Sequence, residues 1–146
     1  MMDLPPVVYA QAPPICIQQT AQKYRIPESI LVGILVVEGG RPGHTHRNSD
    51  GSVDIGPMQI NSRWLGTVRK YGISYGELKN SPCTNLDVGG WILSRSIRNH
   101  AGRLWEGVGA YHSPHRREAL KYAWKVYRTI NAWTKRRWNV FVATRR

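Results

Sequence analysis

The sequence predicts a mainly α, α+β fold: a helical body carrying one small β-hairpin. Three observations lead there. In "IPESILVGILVVEGG", Ile30, Leu31, Ile34 and Leu35 recur at helical spacing and the run stops at Gly39-Gly40. Near the other end, Ala119, Tyr122, Ala123, Val126, Tyr127 and Ile130 form a second apolar stripe at the same period. Between them, "NSDGS" makes a Gly-rich turn and "SVDIG" after it reads as strand.

Taken in order, residues 1–14 read as an extended lead-in, marked by Pro5, Pro6, Pro13 and Pro14. "PPVVYA" is too short for the apolar part of a signal peptide, yet Ala10-Gln11-Ala12 has the small-x-small form of a cleavage site, so this segment is expected to be a signal remnant. "ICIQQTAQKY", from Ile15, reads as a short helix. Pro27 suits the first position of the next helix, and Glu28 favours its positive start. Thr84 with Asp87 three residues on resembles a capping box opening a helix through "NLDVGGWILSRSIR", with Val88, Trp91, Ile92 and Arg95 on related faces. "RLWEGVGAYH" is a further short helix. Ser113-Pro114 then caps a long one running to about Trp133. The domain is expected to span 15–133, and residues 134–146 to be a loosely held basic tail.

Composition narrows the class. A chain of 146 residues with 41% hydrophobic and 21% charged residues suits one globular domain and not a disordered segment. No apolar run reaches membrane-spanning length. The net charge of +12 favours polyanionic partners: nucleic acid, an anionic membrane surface, or an acidic polysaccharide such as the bacterial wall. Six Trp and seven Tyr against one Phe supply flat faces with polar edges, suited to core, rim, or stacking on sugars and bases. Zinc-finger spacing, an RNA-binding sheet motif and a helix-turn-helix are all missing from the pattern, which argues against a nucleic-acid partner. Cys16 and Cys83 form no CxxC pair, and spacing alone leaves a disulfide and two free buried thiols equally open. His44 with His46 and His112 with His115 show no carboxylate or thiolate at ligand spacing, so neither a metal nor a cofactor is expected; "GVG" at Gly107 is too short for a phosphate loop.

The chemistry lies in residues 38–61. Glu38 falls on the last turn of its helix, where unsatisfied carbonyls disfavour a negative charge, and burial beside Leu35, Val36 and Val37 disfavours it further. Both effects keep a carboxyl protonated, as a general acid for glycosidic cleavage requires. In "GPMQIN", Gly56 permits close backbone approach. Gln59 and Asn61, two apart and so on one face of a strand, offer donors and acceptors for hydroxyls and acetamides; Met58 and Ile60 would face the core.

Glu38 followed by "NSDGSVDIGPMQINSRWL" resembles the glutamate and hairpin of the lysozyme superfamily, and in particular the small lytic transglycosylases of bacterial secretion and conjugation systems. The string from Asn48 to Trp64 is also close to the hairpin of animal c-type lysozymes. "GAYHSP" stands where the bacterial enzymes usually read Ala-Tyr-Asn-x-Gly, and "SPCTNLDVGGWIL" is similar to their Cys-Thr-Asn helix start. The resemblance covers roughly residues 15 to 130. It implies a lysozyme-like fold with the hairpin beside the catalytic helix, a Cys16–Cys83 disulfide, and an oxidising compartment, the periplasm.

It further implies a peptidoglycan substrate, Glu38 as catalytic acid and base, Gly56, Met58, Gln59, Asn61 and Tyr111 as substrate-binding residues, and 1,6-anhydromuramoyl products. Tyr111 is expected to hydrogen-bond Glu38 or the substrate acetamide. A monomer is expected, with components of a secretion or conjugation machine as candidate partners. Two departures stand out: Gly39 replaces a serine common after the glutamate, and His112 replaces the usual Asn. Asp54 matches the second carboxylate of c-type lysozymes, so a hydrolase using Glu38 and Asp54 is the alternative outcome; c-type lysozyme is itself a standard two-carboxylate case. A non-catalytic wall-binding or nucleic-acid-binding protein is a further alternative.

Overall fold

The computed structural model describes the backbone of residues 3–144 and the side chains of residues 3–136. Helices α1 (Pro6–Tyr9), α2 (Pro14–Tyr24) and α3 (Glu28–Glu38) lead into strands β1 (Thr45–Arg47), β2 (Val53–Ile55) and β3 (Ile60–Asn61). Helices α4 (Leu65–Lys70), α5 (Tyr75–Asn80), α6 (Pro82–Asn99), α7 (Leu104–His112) and α8 (Arg116–Thr144) follow. The expected architecture is present, and the hairpin gains a third strand. The sheet runs β1-β2-β3, antiparallel throughout, with Asp54 opposite both His46 and Asn61.

Helix α3 is the axis of the core. Ile30, Leu31, Val32, Gly33, Ile34 and Leu35 are buried, so this helix is apolar around its circumference and is wrapped by α1, α2 and α8. Pro27 is its N-cap rather than its first helical residue. Residues 3–14 are not an extended lead-in. Pro5 and Pro13 are extended, but Pro6 and Pro14 each open a helix, the position at which proline's missing N–H costs nothing. Leu4, Val8 and Ala12 lie in the core. The buried amide of Gln11 donates from Nε2 to the carbonyls of Leu35 (2.7 Å) and Gly40 (2.8 Å), pinning the end of α3.

Helix α6 starts earlier than expected. Ser81 caps it by accepting from the Thr84 N–H, and Pro82 follows at the first turn. Asp87 is not part of a capping box; its Oδ1 accepts from Lys23 Nζ and from the Tyr24 hydroxyl, both at 2.9 Å. Ser113 likewise binds the His115 N–H in a turn, and α8 begins at Arg116. Helix α8 does not stop at Trp133. "TKRRWNV" holds no Gly or Pro to break it, and the helix carries on through the supposed tail to Thr144. Trp133 is buried and its Nε1 donates to the Asp3 carbonyl at 2.9 Å. The remaining basic residues, Arg137 onward, have side chains outside the described set, as do Arg145 and Arg146 entirely.

Two links converge on α6, one from another helix and one from the sheet side. Cys16 of α2 and Cys83 of α6 are disulfide-bonded. Asn85, fully buried on α6, accepts at Oδ1 from the Met58 N–H (2.8 Å) and donates from Nδ2 to the carbonyls of Ile55 (2.9 Å) and Leu78 (3.0 Å). One amide thereby ties β2, the turn after it, and α5 to α6. Asn85→Ala leaves one donor and two acceptors buried without partners. It should lower unfolding stability by about 3–5 kcal/mol, read as a lower urea midpoint.

Candidate active site

A groove of about 1270 Å³ runs across the molecule, with Glu38, Asp54, Gln59, Asn61 and Tyr111 among its lining. Each residue arrives from a different element. Glu38 is the final residue of α3, and Gly39 ends that helix with φ of +67°, a left-handed backbone that favours glycine there. Asp54 is the middle residue of β2. Its Oδ1 accepts from Nδ2 of Asn61, its partner on β3, at 3.1 Å. Asp50 stays in the hairpin turn, accepting from the Ser52 N–H (2.9 Å) and hydroxyl (2.6 Å). These bonds hold its carboxyl below the usual carboxylate range.

The stretch "GPMQIN" folds differently from the expected strand. Gln59 adopts φ of +53°, and its side chain turns back to donate to the Gly56 carbonyl at 3.0 Å. Gln59 and Asn61 nevertheless reach the same groove, because the turn and β3 both border it. Met58 and Ile60 are buried, as the alternation implied. Gly56 and Met58 do not line the groove. Gly56, at φ of +67°, is packed against the Asn85 amide, so the close approach it permits is to α6 rather than to a ligand. Met58 contributes its main chain, whose carbonyl accepts the Tyr111 hydroxyl at 2.7 Å.

That last bond directs the Tyr111 hydroxyl to the main chain rather than to Glu38, one of the two partners expected for it. The phenol on Glu38 belongs instead to Tyr122 of α8, which donates to Glu38 Oε2 at 3.2 Å. His112 lies flat on the Tyr122 ring, 4.5 Å between centroids and 4° from parallel. The unusual histidine thus backs the tyrosine that touches the acid. Nothing local in the sequence marks Tyr122. It sits in a helical apolar stripe, and only the packing of α8 on α3 turns its hydroxyl to Glu38.

Burial pushes the Glu38 carboxyl up from 4.5 to about 7; the Tyr122 hydroxyl lowers it, the Asp54 charge raises it, and Lys125 lowers it. Burial likewise raises both phenols well above their ordinary range, and the Glu38 charge adds to this, so Tyr111 and Tyr122 remain donors. A neutral carboxyl at the edge of a groove lined with amides and hydroxyls can protonate a leaving oxygen and then take a proton back.

Residues 15–134 match the family described as the Transglycosylase SLT domain. Among relatives, Invasion protein IagB of Salmonella typhimurium (strain SL1344) is 38% identical over 123 residues, covering 79% of this chain and 76% of that protein. Protein IpgF of Shigella flexneri is 36% identical over 118 residues, 77% of each. A peptidoglycan-binding-like protein of Escherichia coli O157:H7 is 27% identical over 124 residues, 77% of this chain and 74% of that one.

Two outcomes follow from the raised pKa. The fold retains a proton on Glu38 that the unfolded chain releases between pH 4.5 and about 7. Stability from this group is therefore fully present below the lower value and is lost as pH rises through the upper one, at a cost on the order of 3 kcal/mol. Glu38→Gln should be more stable than the parent by about 1–3 kcal/mol at about pH 8 and differ little at about pH 4, measured by urea unfolding. Tyr122→Phe removes a hydrogen bond that favours the ionised acid. The alkaline limb of its kcat/KM profile should move to higher pH.

Proposed function

This chain belongs to the Transglycosylase SLT domain family and is a lytic transglycosylase with a lysozyme-like fold; from that premise we propose that it cleaves the β-1,4 bond between N-acetylmuramic acid and N-acetylglucosamine in peptidoglycan and leaves 1,6-anhydromuramoyl ends. The observation that carries this reading is Glu38: a carboxyl with a pKa of about 7, at the groove, bonded at one oxygen by Tyr122. In the first step it gives its proton to the bridging oxygen. The C1–O4 bond breaks as the substrate's acetamide oxygen closes on C1. In the second step the Glu38 carboxylate takes the proton of the muramoyl C6 hydroxyl, whose oxygen displaces the acetamide from C1. Water does not enter, and one carboxyl serves as acid and then base.

Gln59, Asn61 and Tyr111 line the groove in this reading and bind glycan; Gly56 and Met58 support the turn that presents Gln59, and the Met58 carbonyl holds the Tyr111 hydroxyl. The net charge of +12 concentrates a wall polymer rich in peptide carboxylates. The likeness to a protein named for invasion supports local wall opening for an envelope-spanning secretion or conjugation apparatus, with its components as partners. The periplasm fits the Cys16–Cys83 disulfide. Among the described residues no helix is long and apolar enough to cross a membrane.

Asp54 supports a second reading. It lines the same groove, and its charge raises the Glu38 pKa, an arrangement that a two-carboxylate hydrolase would also use. Mass spectrometry of muropeptides released from purified peptidoglycan separates the two. The anhydro reading expects ends one water lighter than reducing sugars. It also expects Glu38→Gln to abolish release while Asp54→Asn keeps much of it. Reducing ends, with equal loss in both variants, would make the protein a hydrolase.

A further inference from the structure

The groove also carries an aromatic shelf that the acid chemistry leaves unused. Trp105, on the first turn of α7, meets Tyr127 of α8 edge to face at 5.5 Å between ring centroids. Tyr127 meets Trp124 in the same way at 5.6 Å. All three line the groove that holds Glu38. All three stay open to solvent, at 37%, 41% and 53% for Trp105, Tyr127 and Trp124. Leu120, on the same lining, is 58% exposed. Large rings that touch one another and still face solvent form an uncovered apolar surface. The sequence pattern had placed Tyr127 in the core stripe, from which it is turned outward.

The helices fix where the shelf lies. His112 stacks on Tyr122 near the acid, whereas Trp105 meets Tyr127, so α7 and α8 run antiparallel along the groove. At ~1.5 Å per residue, Trp105 lies about 9 Å along α7 from Tyr111, and Tyr127 about 7.5 Å along α8 from Tyr122. That offset is the length of one to two sugar rings. Glu106, next to Trp105 on α7, lines the groove with Asn99 and His100, so the lining carries polar groups as well as rings.

We infer that Trp105, Trp124 and Tyr127 form a distal glycan subsite, on which pyranose rings stack their apolar C–H faces, and that this subsite makes the enzyme favour long strands. The inference rests on the reading of the groove as a glycan site. Two features commit it to that occupant. The shelf is continuous with the groove around Glu38, and flat apolar faces bordered by polar groups complement a ring with C–H faces and a hydroxyl rim. A lipid surface would need a convex patch, whereas these rings line a concave one.

The test compares undecorated glycan strands with the shortest fragment the enzyme cleaves, using the full chain and Trp105→Ala/Tyr127→Ala. Melting temperatures check that the variant folds. On long strands, kcat/KM should fall about tenfold further than on the short fragment, with the loss carried by KM. Trp105→Phe, which keeps a ring, should recover most of it. In a Glu38→Gln background, calorimetry should show the same loss of affinity for long strands. Equal losses on long and short substrates, or none on either, would overturn the subsite. So would intact glycan affinity with lost binding to vesicles of anionic phospholipid. Wild-type products with reducing ends would overturn the anhydro mechanism alone, because the calorimetric comparison does not depend on it.

Discussion

The active site depends on one buried amide. The sheet is too small to hold itself: β1 and β2 have three residues each and β3 two. Its position against the helices comes from Asn85, which satisfies main-chain groups of Ile55, Met58 and Leu78 from inside the core. A buried amide with matched partners is directional in a way that apolar packing is not. Through Met58 the same link reaches Tyr111, whose hydroxyl rests on the Met58 carbonyl, so α6, the turn and α7 form one frame around Glu38. The disulfide works beside it. By joining α2 to α6 across 67 residues it restricts the unfolded chain by roughly 4 kcal/mol in the entropic account.

Within that frame the acid is held against its own preference. A carboxylate at a helix C-terminus faces the negative end of the dipole, and here it is also half-buried at the groove. The carboxyl stays neutral at a stability cost that rises with pH, and the proposed mechanism uses that same neutrality. Tyr122 and Gln11 both hold this end of α3. The phenol touches the carboxyl, while Gln11 fixes the carbonyls of Leu35 and Gly40 on either side of the helix end. The chain before α2 therefore belongs to the machinery that positions the acid.

The groove divides by chemistry along its length. Around Glu38, side chains from β2, the following turn and β3 offer carboxylate and amide groups. Farther along, α7 and α8 offer exposed rings. A stiff glycan strand has both kinds of surface, and in the proposed reading the sheet side meets the polar one while α7 and α8 meet the apolar one. The long final helix serves both ends, with Tyr122 at the acid and Trp124 and Tyr127 at the shelf.

The sequence by itself determined the features whose causes are local. Helical spacing placed Glu38 on the last turn of a buried helix, and Gly39 marked where that helix ends. The Asn-Ser-Asp-Gly turn placed Asp54 on a strand, and the alternation of Met58 and Ile60 identified the buried face. Local rules misjudged the residues before α2, because proline reads alike as an extended lead-in and as the first residue of a helix. They also ended α8 too early. Only the tertiary structure decided which phenol meets Glu38, that Gly56 makes room for Asn85, and that Tyr127 faces the groove rather than the core. Each of those facts joins residues far apart in the chain. Periodicity gives the face of a helix, but what that face meets is fixed by how the helices pack.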